Sequence, residues 1–286
     1  MMEDSSVKRK SAPAILYKYR DWNTKHHRRV LAHNEIYFAS PQTLNDPFDI
    51  AIRPTFGTFT SEALTGIAEA SYARRNLSAD DKKWRRANRR CVDIRDDEAM
   101  QGEYIQWFAD FRDNCFGVFS LTSNPLKRTM WAHYAQGHTG FVVGFRTSTL
   151  QALEDDSSNA RTRIGLRKVI YHDECPEIAW EQMLEDDAEF ERFLLIKHSE
   201  LTYEEEWRLL MLPGDDATAT RPLSGEDRIV CLPECAITNV VFGLRTGEEV
   251  KKEICCHLQS RVPPPELYQV VRGEGWQLQM EPINYD

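Results

Sequence analysis

Three short stretches of the sequence place polar side chains beside aromatic and strand-like residues, where a binding or catalytic site is possible. The first contains Tyr19 and Arg20, at the end of an apolar run that begins at Ile15, and the loop from Asn45 to Asp49. An arginine at a strand end suits phosphate, because its planar guanidinium forms two parallel charge-assisted hydrogen bonds. The alternative interpretation is structural, since Asn45 and Asp46 readily cap turns.

The second stretch is FSLTSNPLKRTMWAHYAQGHTGFVVGF, residues 119–145. Its polar and aromatic side chains are Ser120, Thr122, Trp131, His133, Tyr134 and His138. Tryptophan and tyrosine combine a flat apolar ring with one polar atom, which is typical of a pocket for a ring-bearing ligand. The two histidines are five residues apart and do not share a helical face, so they make a weak zinc pair. Two hydrogen-bonded core histidines are the structural alternative.

The third stretch is LTYEEEWRLL, in which Glu204 and Glu206 enter an apolar strand. Alternate residues of a strand face the same side, so the two carboxylates are expected to be neighbours and to repel each other. We therefore expect one of them to have a raised pKa, or to contact a cation or ligand hydroxyls. Alternatively, both pair with arginines such as Arg208 and Arg163 at a solvated strand end.

The hydrophobic pattern predicts many short strands with helices grouped between them and without regular βαβ alternation. This pattern indicates the α+β class, with a single domain over residues 14–286 after a disordered lead at residues 1–13. A helical insert is predicted at about residues 60–112. The predicted strands are 15–19, 35–39, 115–121, 140–145, 168–171, 206–212, 238–242, 267–271 and 276–280. The other predicted helices are 23–33, 125–134, 178–198 and 247–259.

Composition narrows the possible functions of the 286-residue chain. No apolar run approaches the roughly 20 residues that a membrane-spanning helix needs, and the first residues lack the apolar core of a secretory signal, so we expect a cytoplasmic protein without a membrane partner. The seven cysteines are scattered without CxxC spacing, which favours reduced thiols and predicts no metal.

The charge distribution separates the chain as a whole from one basic segment. The net charge of -9 argues against indiscriminate nucleic-acid binding. The segment from Arg74 to Arg90 is strongly basic and contains Trp84, so it is either a solvated helix face or a contact surface for nucleic acid or an acidic partner. Neither GxGxxG nor GxxxxGK[ST] occurs, which disfavours both familiar nucleotide-binding glycine loops.

Six segments, in this order, resemble a bacterial family known as domain of unknown function 2971. They are LYKYR (residues 16–20), FASPQTLNDPFD (38–49), the 119–145 stretch, VIYHDE (169–174), YEEEWRLL (203–210) and VVFGLR (240–245). Together they span most of the chain.

A second and looser resemblance is to ADP-ribosyltransferases of the arginine, Ser-x-Thr, Glu-x-Glu class. In that class an early strand ends in arginine, a middle strand carries the serine motif and a late strand carries the glutamates, on a split, mostly antiparallel β core. Here the corresponding residues are Arg20, Ser120 with Thr122, and Glu204 with Glu206. This sequence has Leu121 inside the serine motif.

This resemblance implies NAD as the substrate and a role for each matched residue. Arg20, with Tyr19 beside it, is expected to contact the pyrophosphate, while Ser120 and Thr122 steady the nicotinamide ribose. Glu206 is expected to hydrogen-bond a ribose hydroxyl and stabilise the oxocarbenium-like cation. Glu204 then orients or deprotonates the acceptor.

The remaining ligand contacts are expected from the 131–134 region, where Trp131 and Tyr134 stack on nicotinamide or adenine, with His133 beside them. The leading hypothesis is therefore an NAD-dependent ADP-ribosyltransferase, acting on a protein or nucleic acid as a toxin or antiphage effector. One rival is a non-catalytic nucleotide or nucleic-acid binding module. Another is a hydrolase or nuclease that uses His133, His138 and Glu206.

Overall fold

The computed structural model describes residues 12–51, 55–56, 98–154, 161–179, 187–214 and 221–284. The Arg74 to Arg90 segment, most of the predicted helical insert and residues 1–11 of the predicted disordered lead lie outside these ranges.

Short strands and short helices make up the described residues. The strands are β1 (Ile15–Arg20), β2 (Glu35–Tyr37), β3 (Gly117–Thr122), β4 (Phe141–Arg146), β5 (Thr162–Lys168), β6 (Ile170–His172), β7 (Ile196–His198), β8 (Glu206–Pro213), β9 (Ile229–Cys231), β10 (Ile237–Phe242), β11 (Glu266–Arg272) and β12 (Leu278–Pro282). The α-helices are α1 (Arg29–His33), α2 (Glu98–Cys115), α3 (Arg128–Tyr134), α4 (Thr147–Gln151), α5 (Asp187–Phe193) and α6 (Glu248–Leu258). Helices of the 3-10 type cover Lys25–Arg28, Pro41–Thr43, Ser199–Glu204 and Glu234–Ala236.

The chain divides into two compact units that each use several segments. The first unit comprises Met1–Glu35, Leu121–Leu153 and Cys231–Asp286. The second comprises Ile36–Ser120 and Glu154–Val230. Strand β3 contributes its first four residues to the second unit and its last two to the first.

In the first unit the strands follow the order β12-β11-β10-β4-β1-β3. All neighbours in this order are antiparallel except β10 and β11. Strand β4 lies between β10 and β1 and is buried along nearly its whole length. Its Gly144 lies opposite Tyr17 and Asn239, and a Cβ atom there would lie 2.3 Å from Asn239 Oδ1, so any other residue would force the Asn239 side chain to move.

In the second unit β8 lies between β3 and β5, and β6 pairs in parallel with β7. Strand β8 is buried from Glu206 to Leu212 and is antiparallel to β5. An aromatic and aliphatic core forms between these strands and α2, and Phe108, Phe116, Phe193 and Leu210 are among its members. Strand β8 contributes Leu210 and Leu212 to this core.

The predicted α+β class with a mostly antiparallel sheet is confirmed. Strands β1, β3, β4, β8, β10 and β11 lie where the hydrophobic pattern places them, within a few residues. The predicted helix end at Asn34 is also confirmed, since Asn34 takes the left-handed conformation with φ 58° after α1. The single-domain organisation stays a prediction.

The helix predicted over residues 178–198 is wrong at its end. Only α5 is helical in the described part of that range, and Ile196–His198 forms β7. Strand β7 pairs residue by residue with β6, so a long-range backbone ladder overrides the local pattern. The strand predicted at 168–171 is the junction of β5 and β6.

Candidate functional site

Five charged side chains lie together in the interior of the second unit. We call them the buried charge cluster, and they are Asp49, Lys197, Glu204, Glu206 and Arg208. Arg208 is fully buried, and Glu206 and Glu204 are only 3% and 4% exposed. Removing an ion from water costs several kcal/mol, so such a cluster persists only if its charges are closely paired. Three carboxylates here share two cations.

Arg208 fixes two of the carboxylates through its planar guanidinium. Its Nη2 lies 2.8 and 2.7 Å from the two carboxylate oxygens of Asp49. Its Nε donates to Glu206 Oε1 at 2.9 Å, and Nη2 also lies 3.1 Å from Glu206 Oε2. The remaining nitrogen, Nη1, donates to the carbonyl of Leu194 at 2.8 Å. Every nitrogen of the group is used, which holds Asp49 and Glu206 in fixed positions.

Lys197 joins all three carboxylates. Its Nζ lies 2.6 Å from Glu204 Oε2, 2.9 Å from Glu206 Oε2 and 3.3 Å from Asp49 Oδ2. The ammonium group donates hydrogen bonds to Glu204 and Glu206, and it is close enough to Asp49 to form an ion pair. A contact with a cation was one of the alternatives predicted for the two glutamates, and Lys197, which no sequence pattern identified, provides that contact.

The pairing sets the ionisation of the cluster. Burial raises the pKa of Glu206, but the charges of Arg208 and Lys197 and a hydrogen bond from Ser120 outweigh burial, so the pKa lies well below its usual value. Burial lowers the pKa of Lys197, but the charges of Glu206, Asp49 and Glu204 outweigh this effect and raise it. Glu206 is thus ionised at neutral pH, and for this residue the alternative of a raised pKa is wrong.

The backbone that brings the two glutamates to Lys197 differs from the predicted continuous strand. Glu204 ends the 3-10 helix Ser199–Glu204, and Glu205 takes the left-handed conformation with φ 45°. Glu206 is the first residue of β8. The predicted proximity of the carboxylates is found, but the backbone turn at Glu205 produces it rather than the alternation of a strand.

The predicted pairing with arginines is correct for Arg208 and wrong for Arg163. Arg163 lies on β5, and its Nη1 contacts Glu191 at 3.3 Å in a more exposed ion pair. The cluster is also buried, whereas the structural alternative placed it at a solvated strand end.

The loop from Asn45 to Ile50 carries Asp49 into the cluster. Asp46 Oδ1 accepts a hydrogen bond from the backbone N–H of Phe48, as expected of a turn-capping residue. Ile50 has φ 56°, an uncommon conformation for a β-branched residue, and its carbonyl accepts from Arg112 at 2.6 Å. Asp49 belongs to the first of the three polar stretches in the sequence, but it was not predicted as a catalytic or ligand-binding residue.

Ser120 and Tyr171 connect the cluster to more accessible positions. Ser120, the only partly exposed residue of β3, donates a side-chain hydrogen bond to Glu206. The backbone N–H of Glu206 donates to the hydroxyl of Tyr171 at 3.0 Å. Burial raises the pKa of Tyr171 to about 12, so its hydroxyl remains protonated at neutral pH. Donors from Arg208, Lys197 and Ser120 together occupy about four acceptor positions of the Glu206 carboxylate.

The other predicted site residues lie in the first unit, and two of them are core residues. Trp131 is fully buried, and its indole N–H donates to the carbonyl of Pro125 at 2.8 Å. Tyr19 packs edge-on against Trp131 and donates its hydroxyl to the carbonyl of Asn124 at 3.0 Å. In this arrangement Trp131 offers no ring face to a ligand, because Tyr19 and the rest of the core cover it.

Arg20 and Thr122 lie at the ends of adjacent strands of the first unit. Thr122 is buried and accepts a hydrogen bond from the backbone N–H of Asn124 at 3.1 Å. Gly140 permits the approach of β4 to Arg20, since a Cβ atom there would lie 2.2 Å from the Arg20 carbonyl. Burial lowers the pKa of Arg20 to about 10, which leaves it charged at neutral pH.

The three remaining residues of the 131–138 region do not form a metal site. His133 is exposed, Tyr134 is half-buried, and the two rings lie 6.3 Å apart. His138 stacks against Trp131, and burial lowers its pKa. Within the described ranges, no group of three or more His, Cys, Asp or Glu side chains could hold a metal ion.

Over the described residues, no helix combines the length and the apolar character needed to cross a membrane.

Comparison with known proteins adds one finding. Searches of curated proteins and of solved structures each returned no match. A family model described as "Protein of unknown function (DUF2971)" matches residues 130–209, which include Lys197, Glu204, Glu206 and Arg208. The resemblance to this family, predicted from the sequence segments, is therefore confirmed over residues 130–209.

Proposed function

We propose that the protein is an NAD-dependent ADP-ribosyltransferase whose chemistry centres on Glu206. The observation that carries the proposal is the hydrogen bond from Ser120 to an ionised, buried Glu206. It joins the serine element and the glutamate element of the resemblance, which are 86 positions apart in the sequence numbering (206 less 120).

The charge of Glu206 suits the proposed transition state. As the bond between nicotinamide and C1′ of the ribose breaks, nicotinamide leaves with the electron pair and positive charge develops on the ribose. A carboxylate already fixed by Arg208 and Lys197 stabilises that charge without reorganising, and burial strengthens the interaction. The cluster carries one more negative charge than positive, so it favours a cation nearby.

Glu204 has the second role in the proposal. The acceptor forms a bond to C1′ and loses a proton, which Glu204 takes directly or through water. Lys197 Nζ lies 2.6 Å from Glu204 Oε2, and the same ammonium group contacts Glu206. The resemblance also assigns Arg20 to NAD, whereas Tyr19, Thr122 and Trp131 are left out of the proposal because all three are buried in the first unit.

The test is nicotinamide release from NAD by purified protein, with and without cell lysate as the source of acceptor. Glu206→Gln keeps the shape of the side chain and removes its charge, so we expect release to fall at least about 100-fold, as for other electrostatic groups of this kind. Glu200→Gln is the matched control, because Glu200 lies on the adjacent 3-10 helix and its side chain is 85% exposed. Equal release by Glu206→Gln and wild type, with both folded, would refute the role of Glu206.

A second candidate function is a non-catalytic nucleotide or nucleic-acid binding module. It becomes the leading alternative if Glu206 is not catalytic, and the filled acceptor capacity of Glu206 weighs against catalysis because a ribose hydroxyl must displace a protein donor to bind there. Absence of nicotinamide release from folded wild-type protein, together with NAD or oligonucleotide binding by calorimetry, would favour this module over the enzyme.

A further inference from the structure

We propose that Lys197 is a positioning residue that holds the carboxylates of Glu204 and Glu206 side by side. Its part in catalysis rests on the proposed function, whereas its effect on the protonation of the cluster can be measured without any activity.

The position of Lys197 is set by a small sheet. Strand β7 pairs in parallel with β6, and Lys197 lies directly opposite Tyr171 in the register. The 169–171 segment also holds the backbone of Glu206 from both sides, because Val169 N–H donates to its carbonyl at 3.0 Å and its own N–H donates to Tyr171. The same segment therefore locates the ammonium group and the backbone of the carboxylate that it pairs with.

The two cations of the cluster contact different sets of acids. Arg208 contacts Asp49 and Glu206 through a planar fork, and Lys197 contacts one oxygen of each of the three acids. A compact ammonium group can meet three acceptors that converge on one point, which a planar guanidinium does less well. Lys197 is thus the cation that Glu204 and Glu206 share.

The groups that face Lys197 determine what its removal does. They are Asp49, Glu204, Glu206, Arg208, Tyr171 and Tyr203. Without the ammonium charge, three buried carboxylates face one guanidinium. Like charges in a buried site prevent full ionisation, so one carboxyl group of the folded variant takes up a proton near neutral pH.

The first experiment measures the melting temperature between pH 5 and pH 9 for wild type, Lys197→Met and the double variant Lys197→Met with Glu204→Gln. We expect Lys197→Met to melt roughly 6–20 °C lower than wild type at pH 8. The deficit should shrink at pH 5, because the folded variant binds a proton that the unfolded chain does not, so stability falls as pH rises. The double variant restores the original charge balance and should recover most of the loss.

A control double variant tests whether the recovery requires the loss of a carboxylate inside the cluster or follows from the loss of any carboxylate. Lys197→Met with Glu200→Gln removes an exposed carboxylate and should recover nothing. A deficit that is equal at all pH values, and that Glu204→Gln does not reduce, would overturn the proposal. If Lys197→Met does not fold, the double variant decides alone: a folded and stable protein supports the shared-charge role, and an unfolded one refutes it.

The second experiment uses nicotinamide release and the charge-conserving variant Lys197→Arg. This variant keeps the charge of the cluster but not the contact of one cation with all three acids. Its melting temperature should therefore lack the pH dependence expected of Lys197→Met. Nicotinamide release at saturating NAD should fall at least tenfold, with little change in KM. Unchanged release by Lys197→Arg would overturn the positioning role. No release from wild type would refute the proposed function, and the melting experiment would still decide whether Lys197 sets the charge of the cluster.

Discussion

The buried charge cluster of the second unit and the Trp131 region of the first unit both bury polar groups, but they pair these groups in different ways. Around Trp131, buried polar groups are neutral and donate to backbone carbonyls, as Trp131 does to Pro125 and Tyr19 does to Asn124. In the cluster, ions are paired with ions. Neutral hydrogen bonds are insensitive to pH near neutrality, but paired ions depend on the protonation of each member. Chemistry that needs a fixed charge is therefore expected in the second unit.

The strongest way to break this contrast is Arg208→Met. The substitution leaves Asp49 and Glu206 without their guanidinium, and we expect a loss of about 3–5 kcal/mol in the free energy of unfolding, measured with urea. Arg163→Met is the control, because its pair with Glu191 is more exposed and should contribute below about 1 kcal/mol. Similar losses in both variants would contradict a special role for the cluster.

Acid should weaken the region of β8 before that of β4. The pKa of Glu206 is lowered from 4.5, so its contribution to stability is complete above about pH 4.5 and is lost as pH falls toward the lowered value. Amide hydrogen exchange, corrected for the intrinsic rate at each pH, should show β8 losing protection first between pH 6 and pH 3. Simultaneous loss in β4 would mean that the cluster does not control the acid response.

The Trp131→Phe substitution tests the Trp131 region, where the buried polar groups are neutral. The variant loses the hydrogen bond to Pro125 and some core volume, which should cost about 2 kcal/mol of unfolding free energy at every pH from 5 to 8. Trp276→Phe is the matched control, since Trp276 is 82% exposed and its replacement should change stability by less than about 0.5 kcal/mol. A cost that varies with pH would blur the contrast between the two regions.

The smallest effect is expected from His27 in the first unit. Burial first, and then the charge of Arg20, lowers the pKa of His27 from 6.5 to about 4. Stability should therefore rise as pH increases from about 4 to 6.5, because the unfolded chain binds a proton that the folded protein does not. The side chain is partly exposed, so solvent reduces the effect. An NMR titration of His27 near pH 6.5 would contradict this environment, and His27→Gln should remove the pH dependence in that window.

Local sequence pattern was sufficient for much of the sheet. Strand β4 (FVVGFR) overlaps the run GFVVGF at residues 140–145, and this apolar run was enough to predict a buried strand. Pattern failed at β7, where IKH follows an acidic segment that resembles the end of a helix. The pairing of Ile196 with Ile170 decides that structure, and no local signal reports it.

The candidate site shows the same division. Glu204 and Glu206 stand out in the sequence because acids seldom enter apolar strands, and their spacing suggests that they meet. Lys197 and Asp49 carry no comparable signal, since Lys197 is the middle residue of the short strand β7 and Asp49 lies in a turn-rich loop. Both belong to the site only because the chain brings residues 49, 197 and 208 together.

The sequence by itself determined the α+β class, most strand positions and the pair of glutamates, because these depend on periodicity and residue type over a few positions. The tertiary structure decided the charge state of that pair. Whether a buried glutamate is neutral or ionised depends on which cations lie within about 3 Å of it, and those cations come from β7 and β8. It also decided that Trp131 is part of the core, because burial depends on what packs against a ring rather than on the ring itself.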